Sequence, residues 1–165
     1  MRIPRIAAAL LIGLGAATLG QAQQPAAPSA AAEMGNADAV RQALRSDDAK
    51  RALVEKNLQL TPAEAKKFWP IYDEHQKELE KILRKQNRAM NDYIAAEASM
   101  TDANAKRLIT TVVSTDGDEQ HLREATLKRV LKVLPARKAA RYMQLENKLR
   151  SVVRYDIADH IPLVP

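Results

Sequence analysis

The chain has 165 residues, within the roughly 100–200 of a single domain, and carries 26 Lys and Arg against 20 Asp and Glu, a formal charge of +6. It has no cysteine, which excludes disulfides, thiolate metal sites, cysteine nucleophiles and a lipoprotein anchor together. Beyond the N-terminal segment no stretch supplies the roughly 20 apolar residues of a spanning helix, so a transmembrane protein is not expected.

Met1–Ala22 reads as a cleavable export signal. Arg2 and Arg5 form a short basic region, Ile6–Leu19 is apolar, and Gly20 and Ala22 place small residues at −3 and −1 of a cut after Ala22. Export of this kind points to the periplasm and makes nucleic acid an improbable partner. Residues 23–37 are rich in Ala, Gln and Pro without apolar periodicity and read as a flexible leader. A single all-α domain over 38–165 follows.

Within it, Asp38–Asn57 reads as helix, with Ser46 placed to cap a second segment at Ser46-Asp47-Asp48. Leu60-Thr61-Pro62-Ala63-Glu64 then opens the strongest element. Thr61 suits the N-cap, Pro62 the first helical position, and Glu64 can reach back to the Thr61 N–H, which completes a capping box. The predicted helix Pro62–Glu97 gathers Phe68, Ile71, Tyr72, Leu79, Ile82, Leu83, Met90, Tyr93 and Ile94 within an arc of about 140°. The series Phe68, Tyr72, His75, Leu79, Ile82, Gln86 alternates in steps of four and three, as a coiled-coil seam does. Pro70 removes one backbone donor and is expected to bend the helix.

Thr101 caps a third helix, Ala103–Val133. Its wide apolar arc of Leu108, Ile109, Val112, Val113, Leu122, Leu127, Val130, Leu131 and Leu134 suggests more than one neighbour. Gly117 weakens it, by up to about 1 kcal/mol against Ala. Leu134-Pro135 ends or kinks this helix, and Pro135 fits the first position of the next, Ala136–His160. There Tyr142, Leu145, Leu149, Val152, Val153, Ile157 and Ile161 share one face, while Arg137, Arg141, Lys148, Arg150 and Arg154 lie mostly opposite. Pro162 stops it, leaving a short apolar tail. Glycine is scarce and no segment alternates with period two. The expected class is all-α, with four helices and two long enough for an antiparallel hairpin.

Candidate chemistry is sparse. His75, His121 and His160 fall in separate helices, and no phosphate loop, dinucleotide fingerprint or HExxH helix is present. No catalytic, cofactor or metal residue is assigned, and an enzyme is not expected. His75, at the centre of its apolar arc, is either a core histidine with one hydrogen-bond partner, the favoured reading, or a metal ligand with Glu74 or Glu78. Asp118 and His121 form an i, i+3 pair on a solvated face. Asp116, Glu119 and Arg123 share the arc of the third helix, Glu119 and Arg123 with the spacing of an i, i+4 ion pair, on a stripe edge, the favoured reading, or in a groove part apolar and part charged.

Charge is unevenly spread. Without Arg2 and Arg5 the basic count is 24 against 20 acids, a charge of +4, yet His121–Arg154 alone holds ten basic residues and two acids, a local +8. The basic face of the last helix, Arg137, Arg141, Lys148, Arg150 and Arg154, is therefore either a solvated surface or a protein-binding one.

With the helices placed, the chain resembles the Spy/CpxP-related LTxxQ family of small periplasmic helical proteins. The resemblance rests on the export signal, the absence of cysteine, the Leu60–Glu64 motif with Glu64 where the family has Gln, and the long hairpin after it. A second motif is expected at the last helix start, where Leu134 and Pro135 stand in Val133-Leu134-Pro135-Ala136-Arg137 without the family's Thr and Gln. The stretches Phe68–His75 and Val133–Leu149 look like a proteobacterial branch of such proteins. The resemblance covers roughly Leu53 to Val164. It implies an elongated, curved helical homodimer with a cradle-like face. It also implies ATP-independent binding of non-native envelope proteins, or of a sensor kinase's periplasmic domain to modulate envelope stress. Related members that sense metals imply the alternative of a metal-responsive regulator.

Overall fold

The computed structural model describes residues 37–163; the export signal, the leader up to residue 36 and the last two residues of the tail lie outside them, and Ala37, placed in the leader by sequence, already belongs to the first helix. The described chain is all-helical. Its helices are α1 (Ala37–Ala43), α2 (Asp47–Leu58), α3 (Pro62–Ala96), α4 (Asp102–Val130) and α5 (Ala136–His160), with a 3-10 turn at Glu97–Ser99. The first of the four expected helices is thus two. Ser46 is the reason: its backbone is extended, and its Oγ accepts from the Ala49 N–H at 3.1 Å, which starts α2 afresh.

Local chemistry fixes most other boundaries. Thr61 Oγ1 accepts from the Glu64 N–H at 3.3 Å, and Glu64 Oε2 accepts from the Thr61 N–H at 2.8 Å, so the capping box of α3 is complete. Thr101 caps α4 through the Asn104 N–H at 3.2 Å. At α5, Pro135 is the N-cap rather than the first helical residue. Its extended ψ of 145° turns its carbonyl to accept from the Lys138 and Ala139 N–H groups. Helix α4 stops at Val130, three residues earlier than expected, because i→i−3 bonds from Lys132 and Val133 tighten the chain into turns there. Gln59, with φ of 46°, is the left-handed residue that ends α2.

Helices α3 and α4 run antiparallel, since the cross-pairs Glu74–Arg129, His75–Thr126 and Lys85–Asp118 descend along one helix as they ascend the other. Helix α5 runs parallel to α3, through Glu64–Lys138, Gln76–Glu146 and Tyr93–Pro162. Helices α1 and α2 lie antiparallel to α5, through Arg41–Asp156 and the Arg141 bond to the Asn57 carbonyl.

The apolar core gathers where the start of α3 meets α2, the end of α4 and the first half of α5. Val54, Leu58, Phe68, Tyr72, Val130, Ala139, Tyr142, Leu145 and Leu149 are buried there. Phe68 and Tyr142 meet edge to face with centroids 5.1 Å apart, and the Arg51 guanidinium lies 4.0 Å from the Trp69 ring centroid. No helix among the described residues is long and apolar enough to cross a membrane.

Candidate functional site

The seam of α3 is buried as its spacing predicts at Phe68, Tyr72, Leu79 and Gln86, and it includes His75. The facing seam of α4 differs from the expected arc. Its buried members are Thr115, Glu119, Thr126 and Val130. With half-buried Leu108, Val112 and Leu122 they form steps of four and three, a stripe about 80° wide at 100° per residue. Ile109 and Val113, which sequence placed in the same arc, lie about 100° and 140° round the helix from the centre of that stripe and are 58% and 63% exposed. The contact between α3, α4 and α5 is therefore polar in its middle.

Two clusters occupy that middle. In the first, His75 is 4% exposed and its Nδ1 lies 2.9 Å from Thr126 Oγ1. Its Nε2 lies 3.8 Å from Glu146 Oε2, too far for a hydrogen bond. Gln76 Nε2 donates to Glu146 Oε1 at 2.9 Å. A hydroxyl, an imidazole and a carboxylate from three helices thus stand in a row, but Thr126 is enclosed and out of a substrate's reach. The favoured reading of His75 describes this environment, and Glu74 is engaged elsewhere, with Arg129 at 2.6 Å. Among the described residues no three His, Asp or Glu gather as metal ligands do.

In the second cluster, Arg150 Nε and Nη2 donate to Glu119 Oε1 and Oε2 at 2.6 and 2.7 Å, a bidentate pair inside the bundle. Arg154 donates to Asp116 at 2.8 Å and lies 3.4 Å from Glu119. Burial pushes the Glu119 carboxyl upward, but the hydrogen bonds and charges of Arg150 and Arg154 outweigh it and hold the group below its ordinary value. Glu119 pairs across helices, not with Arg123, which instead reaches Gln120 at 3.5 Å.

Between the clusters opens a cleft of about 260 Å³, lined by His75, Leu79, Asp116, Glu119, Arg123, Glu146, Arg150, Arg154 and neighbouring polar residues. Three buried polar atoms nearby have no hydrogen-bond partner: Glu146 Oε2, Arg150 Nη1 and Tyr142 OH. Burial, reinforced by the Glu146 carboxylate, pushes the Tyr142 phenol well above its ordinary range, so it stays protonated.

The basic face splits in this structure. Arg137 and Lys148 stand at the surface, and Arg141, also at the surface, donates to the Asn57 carbonyl at 3.1 Å. Arg150 is a correction: it is 8% exposed, because α4 covers that side of α5 and Glu119 draws the guanidinium inward. Arg154 is half-exposed and committed to Asp116. The start motif is structural and ties two helices: Lys138 Nζ meets Glu64 Oε2 at 2.7 Å and the Gln59 carbonyl at 2.9 Å. Those bonds, Lys138 first and then Thr61, hold the Glu64 carboxyl below its ordinary value. Leu134 is buried in the core. Asp118 lies at the surface, 3.5 Å from Lys85, and His121 is exposed.

A second concavity, of about 630 Å³, lies between α1, α3 and α5. Leu44, Met90, Ile94, Val153, Ile157 and Ile161 make its apolar floor, and Arg41, Arg45, Asp156 and His160 stand among its lining. Sequence reasoning missed the concavity between α1, α3 and α5, which draws on three helices; the polar cleft it offered only as a part-charged groove at Asp116, Glu119 and Arg123, without its partners on α3 and α5. The signal within reach was the polar spacing Thr115, Glu119, Thr126, together with His75 and Gln86 on a seam otherwise apolar.

Comparison with known proteins yields no matching family model, no matching curated protein and no matching solved structure.

Proposed function

We propose that the chain is an exported, ATP-independent chaperone or envelope-stress modulator that acts by reversible binding of non-native protein segments or of a sensor domain. The observation that carries this reading is the groove between α1, α3 and α5. Its floor is apolar, and Ile94 within it is 51% exposed. A folded single chain rarely leaves aligned aliphatic side chains uncovered without a use for them. Arg45 beside this floor suits an acidic residue that flanks an apolar client segment, whereas Arg41 is already paired with Asp156 at 2.9 Å. Ile109 and Val113, one turn apart on the outer side of α4, offer a second apolar strip. In the homodimer that the Spy/CpxP resemblance implies, this strip is the natural seat of the partner. The antiparallel order of α3 and α4 supports the hairpin of that family, and export after Ala22 would place the molecule in the periplasm.

The test is light scattering from an aggregating client protein, with an inert helical protein as control. The wild type suppresses aggregation, and Ile94→Glu, at an exposed floor position, loses most of that suppression while melting as the wild type does. Absence of suppression by the wild type removes the general chaperone reading. Suppression untouched by Ile94→Glu removes the groove from it. Sedimentation of wild type and Val113→Glu tests the dimer, and a monomer in both overturns that part.

A further inference from the structure

The polar cleft between α3, α4 and α5 has features that packing does not require. Arg150 and Glu146 are 8% and 3% exposed, and both line it. Arg150 satisfies Glu119 with two of its nitrogens and leaves Nη1 without a partner; Glu146 takes Gln76 on Oε1 and leaves Oε2 without one. An unused buried donor on a cation and an unused buried acceptor on an anion each cost free energy unless something in the cleft meets them.

The lining says what would meet them. Its cations are Arg123, Arg150 and Arg154, and its anions are Asp116, Glu119 and Glu146. Three face three, so a bare anion meets as much repulsion as attraction, and so does a bare cation. A molecule with both an anionic acceptor and a cationic donor answers each orphan and leaves the balance of charge unchanged. Leu79 is the one large aliphatic residue among the lining, and Gln120, Asn147 and Ser151 add neutral polar groups, so the ligand is polar throughout. The volume of about 260 Å³ lies just under the usual range of roughly 300–1,000 Å³ for ligand sites, which limits it to a small molecule.

We propose that this cleft binds a small polar zwitterion of the size and chemistry of a free α-amino acid, its carboxylate toward Arg150 and its ammonium toward Glu146. The site is independent of the groove and of the chaperone reading. Bound ligand would bridge α3, which supplies His75 and Leu79, to α5, and so link solute level to the packing of the bundle.

The test uses the purified full chain in isothermal calorimetry and in thermal melts. The probes are glycine, L-serine and L-glutamine, with inorganic phosphate and methylammonium as single-charge controls, each up to about 10 mM. At least one zwitterion gives saturable binding and a raised melting temperature, and neither control does. Glu146→Gln keeps the shape, removes the charge, and weakens binding about tenfold or more. Ser151→Leu, at an exposed position on the cleft, blocks binding without disturbing either buried cluster, and covers the case in which Glu146→Gln fails to fold. Binding of phosphate or methylammonium as tight as that of the zwitterions overturns the proposal, as does binding indifferent to Ser151→Leu. Absence of binding by every zwitterion means that the orphans are met by water alone, and overturns it equally.

Discussion

Arg150→Gln is expected to be among the most damaging single changes at a polar position of this protein. The guanidinium holds both oxygens of Glu119 at 2.6 and 2.7 Å, and Glu119 is 5% exposed. Removing it strands a buried carboxylate, which costs about 3–5 kcal/mol in comparable sites. Arg154, half-exposed and 3.4 Å away, retains part of the compensation and places the expected loss near 3 kcal/mol, or on the order of 10 °C in melting temperature. The sign of the pH dependence follows from Glu119. In the wild type its carboxyl is held below the ordinary 4.5, so its contribution is fully present above that value and is lost as pH falls through the depressed one. In Arg150→Gln burial dominates and the carboxyl titrates above its ordinary value. The variant therefore takes up its proton earlier, and its deficit against wild type shrinks as pH falls from 7 toward 4.5. Urea melts at a series of pH values measure this directly. The double variant Glu119→Leu with Arg150→Leu should recover most of the loss, since well-packed apolar replacements of buried pairs are often near neutral. A deficit under about 1 kcal/mol at pH 7, or one that ignores pH, would refute the buried pairing.

Thr61→Ala should lower stability by about 0.5–2 kcal/mol in urea melts through loss of the α3 cap, with client suppression per folded molecule unchanged. Gly117→Ala should raise stability by about 0.5–1 kcal/mol, because a Cβ there meets nothing within 4 Å; a loss would show that the position is closed. Calorimetric titration with zinc, nickel and copper should reveal no tight stoichiometric site, since the His75 ring is enclosed and its Nδ1 is engaged with Thr126. A site abolished by His75→Ala would move the metal-responsive reading to first place.

Helix starts were legible because their causes are local. Ser46, Thr61 and Thr101 each satisfy a backbone N–H three residues on, and the bounds Ala136–His160 follow from Pro135 and Pro162. The buried stripe of α4 was not legible in the same way. Selection by apolarity picks Ile109 and Val113, whereas the bundle buries Thr115, Glu119 and Thr126 in their stead. Those polar residues are acceptable inside only because His75 and Arg150, far off in sequence, meet two of them, and Thr115 Oγ1 donates to the Val112 carbonyl at 2.8 Å. Arg150 was misplaced for the reciprocal reason. On its own helix it stands about 80° from Tyr142, between Ile157 and Ile161 on the flank of the apolar face, so its charge and not its position set it among the exposed residues, and the position of α4 shows that this flank is covered.

The same pairing changes the meaning of the charge asymmetry. The basic segment His121–Arg154 carries +8, and the acids that answer it come from outside: Glu64 to Lys138, Glu74 to Arg129, Asp116 to Arg154, Glu119 to Arg150. The surface pairs among these are screened by solvent and add little stability each, so their collective effect is to fix the register of α3 and α4 against α5. Much of the excess is thus spent within the molecule. The charge left to steer a client is concentrated at positions such as Arg137 and Arg141 and beside the groove at Arg45, since Arg41 there is paired with Asp156. Suppression of client aggregation should accordingly weaken with salt, screened over about 8–10 Å at ordinary ionic strength, but only in its rate of capture. Replacing Arg137 and Arg45 with Gln should reproduce the high-salt rate at low salt while leaving the melting curve in place. Arg150→Gln, by contrast, should act through stability alone, so that its defect in capture disappears at temperatures where the variant is fully folded. A capture defect in folded Arg150→Gln as large as that of the surface substitutions would mean that the buried guanidinium reaches the client after all.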